Sequence, residues 1–290
     1  MSPEGIAEAG GRIRTASARS ILSPTSGFIA AAGFSHSVTP SRNCTYGCLY
    51  CYVPTMRLHG GLRREDWERW GQHTTFKANA AALAATQTRP EHRIYCSPLT
   101  DPYQPAEAEY RLMPGVLDAW IERPPAVVAI QTRSPLVLRD LHRLERLAAR
   151  TRLRVSFSLT TDNEDVRRRY EPHCETTAER LDAIRALRAA GVAVHATLAP
   201  LLPCNPERLA ELALEVTDLD LIGDPLHVRA VKRAGATTRE AAVRLAGVRG
   251  EERWLDPGYQ QEIVARIEAV ALRAGRRFGV GPEGFSVLAR

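Results

Sequence analysis

The sequence predicts an α/β fold: a partial (βα)6 barrel of the TIM type with parallel strands, carrying extensions at both ends. Three observations support this. β-branched or continuous apolar runs alternate with amphipathic helical patterns along the middle of the chain, and that alternation calls for a parallel sheet with right-handed crossovers. The count of about six such units falls short of the eight of a complete barrel. A chain of 290 residues is also long enough to bury one large core.

The first strand is expected in FSHSVTP (34–40), followed by RIYCSP (93–98), AVVAIQTRS (126–134), LRVSFSLTT (153–161), VAVHATLAPLLP (192–203) and LDLIGDPLHVRAV (219–231). Such runs suit strands buried on both faces. Helices are expected over 74–87, 115–123, 135–151, 176–191 and 206–218, the fourth capped at its start by Thr176 or Thr177, with Glu175 anchoring that turn, and ended by Gly191. A further amphipathic helix is expected over 259–275. The chain therefore divides into an N-terminal extension (1–33), the barrel (34–235) and a C-terminal helical extension (236–290).

Composition narrows the function. With 44% apolar and 25% charged residues the chain reads as a globular enzyme and not as a disordered or fibrous protein. No run approaches the roughly 18 apolar residues of a membrane span, and the start MSPEGIAEAGGRIR lacks an apolar signal core, so a cytoplasmic location is expected. The formal charge is +6, and only Lys77 and Lys232 among 39 basic residues are lysine. Arginine pairs bidentately with phosphate, so a nucleic-acid partner is compatible with the composition, as is a bias of coding sequence.

Six cysteines are too few for a disulfide scaffold. Cys44, Cys48 and Cys51 form CxxxCxxC in RNCTYGCLYCYVP, on a loop just after the first strand. Thiolates suit zinc or an iron–sulfur cluster, and both normally take four ligands. Zinc would have to recruit His59 or a distant cysteine, and only one CxxC exists here. A 4Fe–4S cluster with one iron left open needs the three alone.

On these residues the chain resembles the radical S-adenosylmethionine enzymes, whose cluster loop CTYGCLYC matches and which share a partial (βα)6 barrel. The resemblance implies a 4Fe–4S cluster on Cys44, Cys48 and Cys51, with S-adenosyl-L-methionine on the open iron and its cleavage to a 5′-deoxyadenosyl radical. It also implies an adenine contact for Tyr50, the aromatic before the last cysteine.

More closely, residues 35–235 resemble spore photoproduct lyase and the DNA repair photolyase-like proteins. That resemblance implies a hydrogen-transfer relay through Tyr50 and Tyr52, and a hydrogen-donating Cys96 at the end of the second strand, facing the barrel mouth. It further implies that Thr100 and Asp101 hold the cosubstrate ammonium, that Arg133 meets its carboxylate and that Ser158 contacts its ribose or methionine part. The chain departs from the family in the longer link CSPLTDPYQPAE.

The expected activity is a light-independent lyase that repairs a pyrimidine photoproduct in DNA, the spore photoproduct or a (6-4) or Dewar-type lesion. A radical modifier of RNA, peptide or a small molecule is the alternative. Expected partners are damaged DNA and a reductant such as flavodoxin or ferredoxin, with no membrane and a monomeric state. Arg63, Arg64, Arg167, Arg168 and Arg169 are candidate phosphate contacts. His195, His227, Cys174 and Cys204 read as buried residues without a catalytic part.

Overall fold

The computed structural model describes residues 12–56, 63–228 and 237–290. His59, the end of the sixth predicted strand and the boundary at 235–236 lie outside the described residues.

Eleven strands are described: β1 (Ile13–Ala16), β2 (Leu22–Pro24), β3 (His36–Val38), β4 (Ser41–Arg42), β5 (Thr74–Lys77), β6 (Arg93–Cys96), β7 (Val127–Thr132), β8 (Arg152–Ser158), β9 (Val194–Leu201), β10 (Leu221–Pro225) and β11 (Phe278–Val280). The six predicted strands are β3 and β6 to β10, and they pair in parallel as β3-β6-β7-β8-β9-β10. Both ends of the chain lengthen this sheet. β2 adds antiparallel to β3, and β11 adds in parallel to β10. The eight-stranded sheet stays open between β2 and β11, which makes the barrel a partial one.

Apolar layers form on both faces. The helix-facing layer holds Ile94, Val128, Ile130, Val155, Phe157 and Leu198 from the strands, against Leu117, Trp120, Leu144, Ile184 and Ile267 from the helices. The inner layer holds Phe34, Tyr95, Ala129 and Ile222 against Phe285 and Leu288 of the C-terminal segment, which therefore plugs the barrel. Phe28 and Phe285 meet edge to face at 5.2 Å, joining the N- and C-terminal extensions.

Local sequence explains most helix boundaries. Thr176 caps Thr177–Ala189 through a capping box with Glu179, and Gly191 follows at φ +74°, as the sequence leads one to expect. Three details differ. Residues 74–77 form β5 between β1 and β4 in a small second sheet, so the helix begins only at Ala80; consecutive Thr74 and Thr75 favour extended backbone. The 135–151 pattern opens with a 3-10 turn, Pro135–Asp140, before the α-helix Leu141–Ala148. The arginine run 167–169 lies within a helix, Glu164–Tyr170, capped by Asn163.

The plug predicts a stability effect. Phe285→Ala should lower the unfolding free energy by roughly 3 kcal/mol in urea titration, as buried aromatic truncations do. Leu272→Ala, at a side chain 59% exposed, should change it by less than about 0.5 kcal/mol.

Candidate active site

The cysteine loop leaves β4 and is shaped by two features. Asn43 sits at φ +61°, a conformation asparagine tolerates, and its side-chain oxygen accepts from the Cys44 and Gly71 backbone N–H groups while its amide donates to the Asp66 and Arg69 carbonyls. Gly47, at φ +60°, lies against Gly71, where an added Cβ would stand 2.8 Å from the Gly47 Cα. Only glycine permits that approach. On one flank, buried Gln104 accepts from the Thr45 N–H at 2.8 Å and donates to Ser41 and Thr74.

The other flank is segment 170–175, more than 120 residues away in sequence. The Leu49 N–H donates to the Tyr170 carbonyl at 2.9 Å. Tyr46 donates to the Glu175 carboxylate at 2.9 Å, so Glu175 holds the cysteine loop and not the helix turn expected of it. Cys174 Sγ lies 3.8 Å from Cys48 Sγ. The Cys174 carbonyl in turn accepts from Arg167 Nη1 at 2.6 Å.

At the centre stands Glu171, fully buried. Its carboxylate accepts from Tyr50 Oη, from Arg133 Nη1 and Arg180 Nη2 at 2.5 Å each, and from Thr160 Oγ1 at 3.0 Å. Burial alone would push this carboxyl up; the guanidinium charges of Arg180 and Arg133 and the Tyr50 bond outweigh it and bring it down to about 2. Buried Arg180 and partly buried Arg133 thus both face the Glu171 carboxylate close to Cys48, an arrangement that the sequence reading missed.

Burial pushes the Cys51 thiol up to about 12, aided by the nearby Cys48, and raises Cys44 further, so ligation by these two must displace protons. Cys48 is lowered, first by its hydrogen bond with Cys174. The three cysteine sulfurs do not form a set within 4.8 Å of one another, and among the described residues only Glu65, Asp66 and His73 do.

The expected cosubstrate residues gather around this loop. Asp101 accepts from Thr132 at 2.7 Å and Tyr103 N–H at 2.9 Å on one oxygen, and from Arg133 N–H at 2.8 Å on the other; one acceptor site remains for an ammonium N–H. Thr100 is buried among Ser41 and Ser97 hydroxyls. Arg133 bonds Glu171 and Tyr50 through Nη1, leaving its other N–H groups for a carboxylate. Ser158 lies at the end of β8 within reach of Gln131, at 3.5 Å.

Other expectations need correction. Alternation along β6 sends Cys96, like Ile94, to the helix-facing layer, where it is 0% exposed and pairs in register with Val38 and Ile130 of the same layer. Cys96 therefore does not face the barrel interior; Tyr95 does, with its hydroxyl on Gln131. Tyr50 is buried with its proton committed to Glu171, whereas Tyr52 is 38% exposed and donates to the Pro98 carbonyl. Arg167 is buried and spent on Glu164 and two backbone carbonyls, so it offers nothing to a phosphate. Arg168 pairs with Asp165, Arg169 with Glu251 and Arg64 with Glu68, while Arg63 opens the short helix Arg64–Glu68. Such exposed pairs as those of Arg64 and Arg168 are weak and exchangeable. His195 is a satisfied interior histidine, bonded to the Asp220 carbonyl at 3.0 Å; His227 pairs with Asp224 at 2.8 Å; Cys204 packs against the main core.

A profile of the Radical SAM superfamily matches residues 38–216, taking in the cysteine loop and every strand from β4 to β9. The chain belongs to the radical SAM superfamily. Members of this family use a 4Fe–4S cluster and S-adenosyl-L-methionine; Cys44, Cys48 and Cys51 would hold the cluster, and Arg133 and the free acceptor of Asp101 would suit the cosubstrate. The uncharacterized protein Rv2578c of Mycobacterium tuberculosis is 33% identical over 179 residues, covering 60% of this chain and 52% of its own. The uncharacterized protein MJ0683 of Methanocaldococcus jannaschii is 26% identical over 160 residues, 55% of this chain and 58% of its own. The chain thus spans about half the length of these curated relatives. Among solved structures, spore photoproduct lyase complexed with dinucleoside spore photoproduct shares the fold with a TM-score of 0.54 at 16% identity, over 92% of this chain and 81% of that one. Within the described residues no helix is long and apolar enough to cross a membrane.

The low Glu171 value predicts a pH dependence. A depressed carboxyl contributes stability that is present above its ordinary value of 4.5 and is lost as pH falls towards about 2. The urea midpoint of the apoprotein should fall across that window. Glu171→Gln should flatten the dependence there and, at pH 7, cost about 3–5 kcal/mol through the two unpaired arginines.

Proposed function

We propose that this radical SAM chain is a lyase that repairs a pyrimidine photoproduct in DNA without light, returning hydrogen through phenols at the barrel mouth. The observation that carries the reading is Tyr52, partly exposed and directly after Cys51, with a second phenol, Tyr95, in the interior layer of the barrel. Burial and the neighbouring Tyr52 both raise the Tyr95 phenol, which keeps its proton in place. A lyase that must hand a hydrogen atom back to its product needs such an O–H group near the cluster.

When bound, the cluster and cosubstrate supply a 5′-deoxyadenosyl radical at this mouth. One hydrogen atom leaves the fused base pair, the inter-base bond breaks, and the unpaired electron moves to the released base. Tyr52 Oη–H then gives that carbon a hydrogen atom. The Tyr52 phenoxyl would then take back the hydrogen atom first removed, so that none is gained or lost overall. Arg133 and Asp101 orient the cosubstrate through its carboxylate and ammonium, and Ser158 closes the far side. The lesion has to leave the helical stack to reach the mouth, and a damaged step costs least to flip. Its phosphates would meet the exchangeable Arg64 and Arg168, and a small reductant of the flavodoxin or ferredoxin type would deliver the electron.

The fold shared with spore photoproduct lyase across most of the chain supports this reading. The test is an anaerobic assay of the reconstituted protein with dithionite, S-adenosylmethionine and ultraviolet-damaged oligonucleotides, read as 5′-deoxyadenosine and restored pyrimidines. Restored bases should vanish in Cys51→Ala and fall at least tenfold in Tyr52→Phe, while Cys96→Ala keeps the parent product. Cosubstrate cleavage with no restored base would sink the DNA assignment.

A further inference from the structure

Cys174 belongs to none of the roles above, and its surroundings are specific. Its sulfur lies 3.8 Å from the sulfur of Cys48 and both side chains are buried. The backbone that carries it is fixed from two sides: its N–H donates to the Glu171 carbonyl at 3.1 Å, and its carbonyl accepts from Arg167 at 2.6 Å. Arg167 is itself held by Glu164 at 2.5 Å. The ring of His173 packs 3.7 Å from where a Gly47 side chain would begin, so the segment presses directly on the CxxxCxxC loop. A buried, unused thiol has been clamped against one cluster ligand.

Either sulfur can donate in the free protein. Once Cys48 binds iron it is a thiolate without a proton, and the only hydrogen left at this contact is that of Cys174. We infer that Cys174 is a positioning residue for the cluster: its S–H donates to the Cys48 thiolate and sets the reduction potential of the iron–sulfur centre. A donor on a ligating sulfur draws electron density away from the irons and makes the added electron easier to accept; hydrogen bonds to the sulfurs are among the known levers on such potentials. The inference rests on family membership and not on the DNA reading, because the potential is measured without substrate.

The experiment is a potentiometric titration of the reconstituted holoprotein, followed by electron paramagnetic resonance, in the parent, Cys174→Ala and Cys174→Ser forms, each with its iron content measured. Cys174→Ala should make reduction about tenfold less favourable, a shift of about 59 mV to lower potential for one electron. Cys174→Ser keeps a donor and should recover at least half of that shift. Proton hyperfine spectra of the reduced cluster should lose one deuterium-exchangeable coupling in the alanine form only. An unchanged potential in Cys174→Ala, or a serine form that behaves like alanine, would overturn the inference. So would loss of iron in both variants, or a Cys48→Ala protein that keeps a full cluster, since either would make Cys174 a ligand or a structural support.

Discussion

Everything at the site hangs on one buried carboxylate. Glu171 brings together Arg133 from the end of β7, Arg180 from the helix Thr177–Ala189, Tyr50 from the cysteine loop and Thr160 from the loop after β8. Such a charge is costly to bury, and it persists because both of its oxygens are answered by donors, two of them guanidinium groups. In answering them, the strand end, the helix and the loop are placed relative to each other. The interaction that orders the loop therefore also sets two guanidinium groups close to Cys48.

Much of this was legible in the sequence, for identifiable reasons. Parallel strands buried on both faces produce β-branched or near-continuous apolar runs, and the last five of the six barrel strands announce themselves in that way, whereas FSHSVTP is marked by its place before the cysteine motif. The CxxxCxxC motif is equally legible, because its spacing is local. Phase within a strand is not: RIYC does not tell which of Tyr95 and Cys96 faces inward, since both faces of the sheet are packed and no polar alternation marks them. The strand Thr74–Lys77 and the helix Glu164–Tyr170 were hidden for a related reason, one running straight into a helical pattern and the other looking like a solvated charge cluster. Glu171, Cys174 and Arg180 carry no local signal, since their meaning arises only when the chain returns to a loop more than 120 residues earlier.

The terminal extensions show how an incomplete barrel manages its open side. Instead of closing the sheet, the chain adds β2 and β11 to its two edges and fills the interior with Phe285 and Leu288. Edges left bare would invite pairing with other chains, and an unfilled lower interior would leave Tyr95 without packing beneath its ring. The mouth above can then be kept for polar side chains.

The long return from segment 170–175 to the cysteine loop has a consequence for biosynthesis. During translation the three cysteines leave the ribosome well before Glu171, Cys174 and Arg180, and at ~5–20 residues per second that interval lasts several seconds or more. Throughout it the nascent loop has thiols but not its brace. The pocket is complete only when the fourth strand–helix unit, which carries Glu171, Cys174 and Arg180, has folded against the loop, long after the cysteines themselves have emerged.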